Sequence, residues 1–362
     1  MSAAYPEPLQ QIDRTCVLWR GRKLSYFAGC DYLRLSSHPA VLAAVHSCLD
    51  EFGLNVAASR KTTGNHQIYH DLETAVRKFF ASEAAVTTST GYFTNIIAAQ
   101  GLRGSIDHVI IDERAHGSLR DAAQFLSCPI TEFKHRDARD LKKYCTRLRA
   151  KRLALLTDGM FAHDGSIAPL AEYRETIGNS TLLWVDDAHA GGILGRNGRG
   201  TIELARLSRQ NLLQTVTFSK AFGSYGGAIL CSRSLANKIQ NKSCAVAGNT
   251  PLPLPLACAT ITALQLCDAA LRHKLFKNIA QFWNVVGKLP DAPLTPIIPL
   301  SVKNSAALSR KLLAAEIFPP LIKYAGGPSS GYFRFALSSE HSSDQIERLA
   351  LLVRESCLTP KR

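Results

Sequence analysis

No apolar run in this chain reaches the ~20 residues a membrane-spanning helix needs, so no membrane span is expected. No CxxC pair occurs either. The ten cysteines, among them Cys16, Cys48, Cys145 and Cys258, are scattered along the chain. Such spacing argues against a disulfide framework or a zinc site and for reduced thiols in a cytoplasmic protein. The opening stretch, MSAAYPEPLQQIDRTC, contains Pro6, Pro8 and Asp13 and no apolar block, so it does not read as a secretory signal. Internal repeats and low-complexity segments are missing. His66 and His70 stand at i, i+4, but Gln67 occupies the place where a zinc-binding HExxH helix carries Glu, and no metal is expected.

The chain of 362 residues is 46% hydrophobic and 20% charged, enough for a large buried core. Its one outlying property is a net charge of +14, which favours anionic partners such as phosphorylated cofactors, coenzyme A or an acidic carrier protein. Much of that charge lies in LKKYCTRLRAKR, Leu141 to Arg152, with Leu and Tyr interleaved at helical spacing. A solvated helix face explains the pattern. Neither zinc-finger spacing nor an RNP-type strand accompanies it, so nucleic acid is not expected as a partner.

Apolar runs alternate with amphipathic stretches. Helical periodicity marks the segments that begin at His38, His66 and Ala138. Strand-like runs end at Asp112, Asp158, Asp187 and Phe218, and another begins at Gly226. Continuous apolar strands between helices imply an α/β fold with a mostly parallel sheet covered on both faces, and ligands at the strand ends. After about residue 240 two proline-punctuated stretches appear, NTPLPLPLA and LPDAPLTPIIPLSV. The expected organisation is an N-terminal segment over residues 1–40, a large α/β domain over 41–240, and a smaller C-terminal α+β domain over 241–362.

Within this frame Lys220 stands out in TVTFSKAFGSYGGAIL, between two apolar runs and just before a glycine-rich turn. A desolvated amine there can form a Schiff base, and pyridoxal phosphate is the cofactor that most often uses one. That cofactor also needs a carboxylate at its ring nitrogen and a cup for its phosphate. Asp186 ends the run TLLWVDD, and His189 follows three residues on, near where the ring oxygen would lie. TTSTGYFTN, Thr87 to Asn95, places small hydroxyl residues and Gly91 ahead of a helical segment, whose free N–H groups suit a dianion. Thr217 and Ser219 flank Lys220 and offer further hydroxyls.

In these motifs the chain resembles the α-oxoamine synthases, pyridoxal-phosphate enzymes of fold type I. The resemblance runs from FAGCDYLRLSSHPAV to FRFALSSEHSSDQIERL and includes ASRKTTGNHQIYHDLE, STGYFTN, DERAHGSLRDA, DGMFAHDGSIAPL, VDDAHAGGILGRNGRG and TFSKAFGSYGG. It implies that Lys220 is the Schiff-base residue and that Asp186 binds the pyridine nitrogen. His116 would stack on the ring and His189 would contact its oxygen. Gly91, Tyr92 and Thr217 would contact the phosphate and ring, with Thr250 donated from a partner subunit, hence a homodimer with active sites at its interface. Arg334 would grip the carboxylate of an amino acid, a task that suits its bidentate fork. Members condense an amino acid with an acyl thioester, carried by coenzyme A or an acyl carrier protein, and release carbon dioxide. SRKTTGNHQIYHDLE and VDDAHAGGILGRNGRG most resemble the biotin-pathway members, which use L-alanine and a pimeloyl thioester; members using glycine or serine are the alternative. Cys30, Asp158, Ala162, His163 and Tyr332 depart from the usual residues. A non-catalytic descendant of the fold would cite Cys30, Ala162 and Tyr332, whereas Lys220, Asp186, His116 and Arg334 all favour an enzyme.

Overall fold

The computed structural model describes residues 5–148, 152–287, 294–323, 328 and 330–358, with the side chains of 357 and 358 set aside. The chain begins with β1 (Gln10–Gln11), β2 (Cys16–Trp19) and β3 (Arg22–Ser25). Next come α1 (Pro39–Phe52), α2 (Gln67–Phe80), β4 (Ala84–Thr88), α3 (Gly91–Leu102), β5 (His108–Asp112), α4 (Gly117–Phe125), β6 (Ile130–Phe133) and α5 (Ala138–Arg147). Then follow β7 (Leu153–Asp158), α6 (Leu170–Ile177), β8 (Leu182–Asp186), α7 (Thr201–Leu204), β9 (Leu212–Thr217), β10 (Gly227–Cys231), α8 (Arg233–Lys242), α9 (Cys244–Gly248) and α10 (Leu254–Leu266). The last elements are α11 (Ala269–Val286), β11 (Ile297–Leu300), α12 (Ser305–Ala314), β12 (Leu321–Ile322), β13 (Tyr332–Ala336) and α13 (Ser343–Leu358).

By contacts the chain divides into two compact units. The larger holds Leu35–Ala162 and Ser166–Ala269; the smaller holds Met1–Arg34, His163–Gly165 and Ala270–Arg362. The break expected near residue 240 therefore falls at Ala269, and the N-terminal strands belong with the C-terminal part. The prolines caused the difference. Pro255 occupies the first turn of α10, with Pro253 as its N-cap residue, where a missing N–H costs nothing. That helix packs on α1 and α2, so the segment stays in the larger unit.

The larger unit is built on a seven-stranded sheet in the order β4-β10-β9-β8-β7-β5-β6. Strands β9, β8, β7, β5 and β6 run parallel, and β10 is antiparallel to both β4 and β9. Alternation along the central strands fills two cores. Val109, Ile111, Leu156, Trp184 and Leu213 face α3, α4 and α8. Ile110, Leu155, Leu183, Val185 and Leu212 face α5 and α6. Both faces being covered, these strands read as unbroken apolar runs. In α5 Leu141 is buried while Lys142, Lys143 and Arg147 are exposed, a solvated face over the first part of that basic stretch; its residues 149–151 lie outside the described residues.

Two polar ends of the sheet meet at one glycine. Gly227 opens β10 and pairs with Thr88 at the end of β4 on one side and with Thr217 at the end of β9 on the other. A Cβ there would lie 2.6 Å from the carbonyl oxygen of Val216 and 3.1 Å from the Cα of Gly91. Glycine alone allows that approach.

The smaller unit has two antiparallel sheets, β1-β2-β3 and β11-β13-β12, together with helices α12 and α13. Arg334 sits mid-strand in β13, opposite Pro299. Among the described residues no single helix is long and apolar enough to cross a membrane. The nine described cysteines are all free thiols. His66 has a structural task, because its Nδ1 accepts the Ile68 N–H and so caps α2.

Candidate active site

At the C-terminal ends of β7, β8 and β9 lies a cavity of about 270 Å³. Its lining includes Gly91, Tyr92, His116, Asp186, His189, Thr217 and Lys220, the seven cofactor residues expected within one chain. Parallel strands deliver them there for a simple reason. Each strand ends where its apolar run stops, and the following loop turns over the sheet edge.

Lys220 lies on the loop between β9 and β10. That loop is closed by backbone bonds from Phe218 N–H to Gly226 O (2.9 Å) and from Ser224 N–H to Phe218 O (2.9 Å). The lysine is thus carried by a hairpin with both ends fixed in the sheet. Thr217 is buried. Its hydroxyl lies 3.1 Å from Gly226 O and 2.8 Å from the Ser219 hydroxyl.

The opposite wall is the start of α3. Thr90 caps the helix, its Oγ1 accepting the Phe93 N–H at 3.2 Å. The helix N-terminus lies beside Thr217 on the same cavity wall, so helix-start N–H groups and a hydroxyl stand close together, a donor set that suits a phosphate dianion. Tyr92 meets His116 edge-on, ring centroids 6.1 Å apart, and its hydroxyl donates to Asp121.

Asp186 ends β8, in register with Asp158 at the end of β7. Its Oδ1 accepts the Ala188 N–H at 3.0 Å and its Oδ2 accepts from the Asn95 amide at 2.7 Å. Asp158 accepts the His116 backbone N–H at 2.8 Å. Burial, with the Asp186 carboxylate beside it, pushes the Asp158 carboxyl well above the usual range. Burial likewise lowers the His116 imidazole, and the charge of Lys220 adds to that, outweighing the opposing pull of Asp186. The cavity therefore offers one amine, a hydrogen-bonded carboxylate, a neutral imidazole and an anion cup. That donor set fits pyridoxal phosphate.

Two expected residues lie elsewhere. Thr250 is exposed and lines a separate cavity with Arg60, Asn65, Glu73 and Asn249. Arg334 belongs to the smaller unit, where both its terminal nitrogens lie 3.8–3.9 Å from Cys30 Sγ. Burial pulls that guanidinium down, but Tyr32, Cys30 and Tyr332 outweigh it and hold it above its ordinary value. Three of the five departures, Cys30, His163 and Tyr332, belong to the smaller unit as well, while Asp158 and Ala162 belong to the larger one. Tyr332 donates its hydroxyl to His163 O at 2.9 Å, and His163 pairs with Asp164 at 3.0 Å.

Asn95 and Ser118 were not legible as site residues, although Asn95 closes TTSTGYFTN and Ser118 lies in DERAHGSLRDA. Their importance depends on how α3 and α4 lie over β8, which no local pattern encodes.

The sequence matches the aminotransferase class I and II family over residues 27–351. The chain belongs to that family. Among the members of this aminotransferase family that it resembles is the 8-amino-7-oxononanoate synthase of Thioalkalivibrio sulfidiphilus, 33% identical over 91% of this chain and 87% of the relative. A solved serine palmitoyltransferase from Sphingomonas wittichii superposes with a TM-score of 0.87 at 27% identity, covering 96% of this chain and 90% of the other. An 8-amino-7-oxononanoate synthase from Francisella tularensis superposes with a TM-score of 0.77 at 25% identity, over 92% of this chain and 97% of the other. These relatives stand with the α-oxoamine synthases, the branch of the aminotransferase family that the motifs resemble.

Proposed function

We propose that the protein joins L-alanine to a pimeloyl thioester, giving 8-amino-7-oxononanoate, carbon dioxide and free thiol, with pyridoxal phosphate as cofactor. The carrying observation is that the seven expected cofactor residues of one chain line a single cavity. Relatives bearing the name 8-amino-7-oxononanoate synthase support the choice of substrates.

Bound there, pyridoxal phosphate supplies a ring that takes up the electron pair left when a bond to the amino acid's Cα breaks. Lys220 would hold it covalently through its amine and, once released, take the Cα proton. Asp186, with one oxygen on Asn95 and the other on Ala188 N–H, would keep a proton on the ring nitrogen. The start of α3 and the Thr217 hydroxyl would bind the phosphate. His116 would cover one ring face, and His189 would bind the ring oxygen. Arg334 is assigned the amino acid's carboxylate on the resemblance, in a bidentate grip. Thr250, outside its own chain's cavity, is assigned to the site of a second copy, so the working form is a homodimer. The net charge of +14 suits a coenzyme A or carrier-protein thioester.

The test supplies the cofactor-loaded protein with L-alanine, glycine or L-serine and with pimeloyl, acetyl or palmitoyl thioesters, and measures carbon dioxide and product mass. Alanine with pimeloyl thioester is expected to react fastest. Serine with palmitoyl thioester has one observation behind it, the 0.87 TM-score to a serine palmitoyltransferase, and a faster rate there would replace the alanine reading. No release from any pair would overturn the enzymatic reading. Sedimentation as a monomer with full activity would remove the dimer.

A further inference from the structure

Asn95 is completely buried in α3, and all four hydrogen-bonding positions of its amide are used. Its Nδ2 donates to Asp186 Oδ2 at 2.7 Å and to Ser118 Oγ at 3.0 Å. Its Oδ1 accepts from Trp184 Nε1–H at 3.2 Å and from the Thr215 hydroxyl at 2.8 Å. An indole N–H can only donate, so the oxygen must face Trp184. The reversed amide would set two donors against each other there and two acceptors at Asp186. The orientation is fixed by chemistry alone.

The consequence passes along Ser118. Its Oγ accepts from Asn95, so its own proton is free to be given away. His116 Nδ1 lies 2.8 Å from that Oγ and also receives the Ser118 backbone N–H at 3.2 Å. With two donors aimed at Nδ1, that nitrogen must be the acceptor, and the ring proton sits on Nε2.

We propose that Asn95 is a positioning residue that, through Ser118, holds His116 as the neutral Nε2–H tautomer while it orients the Asp186 carboxylate. The inference rests on the reading of this cavity as the cofactor site. A neutral imidazole can lie against the cationic ring that Asp186 supports, whereas an imidazolium would repel it. The other groups facing His116 are Asp121, Lys220 and the Tyr92 ring, with Asp158 on its backbone N–H. The carboxylates Asp186 and Asp121 favour the imidazolium, Lys220 opposes it, and burial opposes it more strongly.

Histidine-selective ¹⁵N labelling of the full chain, with and without pyridoxal phosphate, reads the tautomer directly, and His116→Phe assigns the signal. The expected wild-type result is one tautomer, protonated at Nε2, in both forms. Donors to Nδ1 favour the neutral ring, so removing one raises the titration. Ser118→Ala is expected to introduce an Nδ1–H population and to move the His116 midpoint up by about 0.5–1 pH unit. Ser118→Thr, which keeps a hydroxyl, restores the wild-type signal. Asn95→Leu is expected to do the same as Ser118→Ala and to weaken pyridoxal phosphate binding at least tenfold; if it fails to fold, the two Ser118 variants decide. A wild-type ring protonated at Nδ1, or a Ser118→Ala ring unchanged in tautomer and midpoint, overturns the proposal. The correct tautomer in a protein that binds no pyridoxal phosphate would leave the Asn95 inference standing and sink the cofactor reading instead.

Discussion

Gly91→Ala sets two known effects against each other at the start of α3, on the wall of the candidate site. Gly91 opens α3, and alanine is the better helix former by about 1 kcal/mol in a helix interior. On propensity alone the substitution stabilises. Packing says the reverse. A Cβ at residue 91 would lie 2.5 Å from Thr217 Oγ1 and 2.6 Å from Thr217 Cβ. Carbon atoms prefer a separation of about 3.5–4.0 Å, so one side must move by roughly 0.9 Å or more. Rotating the Thr217 side chain relieves the oxygen contact and leaves the Cβ where the β9 backbone puts it. The strand cannot yield cheaply, since Thr217 is paired with Gly227 in the sheet. Overpacking of this kind costs about 1–3 kcal/mol, and an overlap this deep belongs at the upper end. The expected net effect is a loss of about 1–2 kcal/mol, read as a lower urea midpoint at unchanged slope. Because first-turn N–H groups shift with Gly91, pyridoxal phosphate binding is expected to weaken at least tenfold. Adding Thr217→Gly removes the obstructing carbon, so the two changes together should cost less than their sum by about 1 kcal/mol or more. Thr217→Ala keeps that carbon and should give no such relief. A Gly91→Ala protein as stable as wild type, with full cofactor affinity, would refute the reasoning.

Asp187 is fully buried and accepts from Thr201 N–H at 2.9 Å, the Thr201 hydroxyl at 2.5 Å and Gln214 Nε2 at 2.6 Å. Burial pushes its carboxyl up to about 6 from an ordinary 3.8. A raised folded value means that the folded chain binds the proton more tightly, so this contribution is full below pH 4 and is lost as pH rises through 6. It amounts to about 3 kcal/mol. Stability measured against pH should therefore tilt in favour of Asp187→Asn, relative to wild type, between pH 4 and 7; a difference independent of pH would contradict this. Arg334→Lys replaces a fork with a point charge and is expected to raise KM for the amino acid roughly tenfold or more, with a smaller change in kcat. An unchanged KM would remove Arg334 from the carboxylate.

Local features were legible in the sequence. Lys220, Asp186 and His189 were legible because each lies at, or three residues past, the end of an apolar strand, and Gly91 because it opens a helix after small hydroxyl residues. The parallel sheet was legible for the same reason, since strands covered on both faces leave unbroken apolar runs. What escaped depends on packing between distant segments. Asn95 and Trp184 are 89 residues apart and meet only because α3 lies across β8. The prolines at 253 and 255 suggested a domain break, whereas a helix start accepts them equally well, and nothing short of the packing of α10 on α1 decides between the two. The strands of residues 10–25 were too short to carry a periodic signal.

Gly227 has a bearing on assembly as well as on geometry. The strand it opens is flanked by the one leading to the anion cup and the one leading to the lysine, and both strands end opposite this residue. A chain in which β10 has not yet inserted has neither half of the site aligned with the other. Pyridoxal phosphate should therefore ignore every partly folded form and bind only once the central sheet is complete. Bound cofactor then serves as a stamp of finished folding, and a slip of β10 by a single residue would erase lysine and cup together.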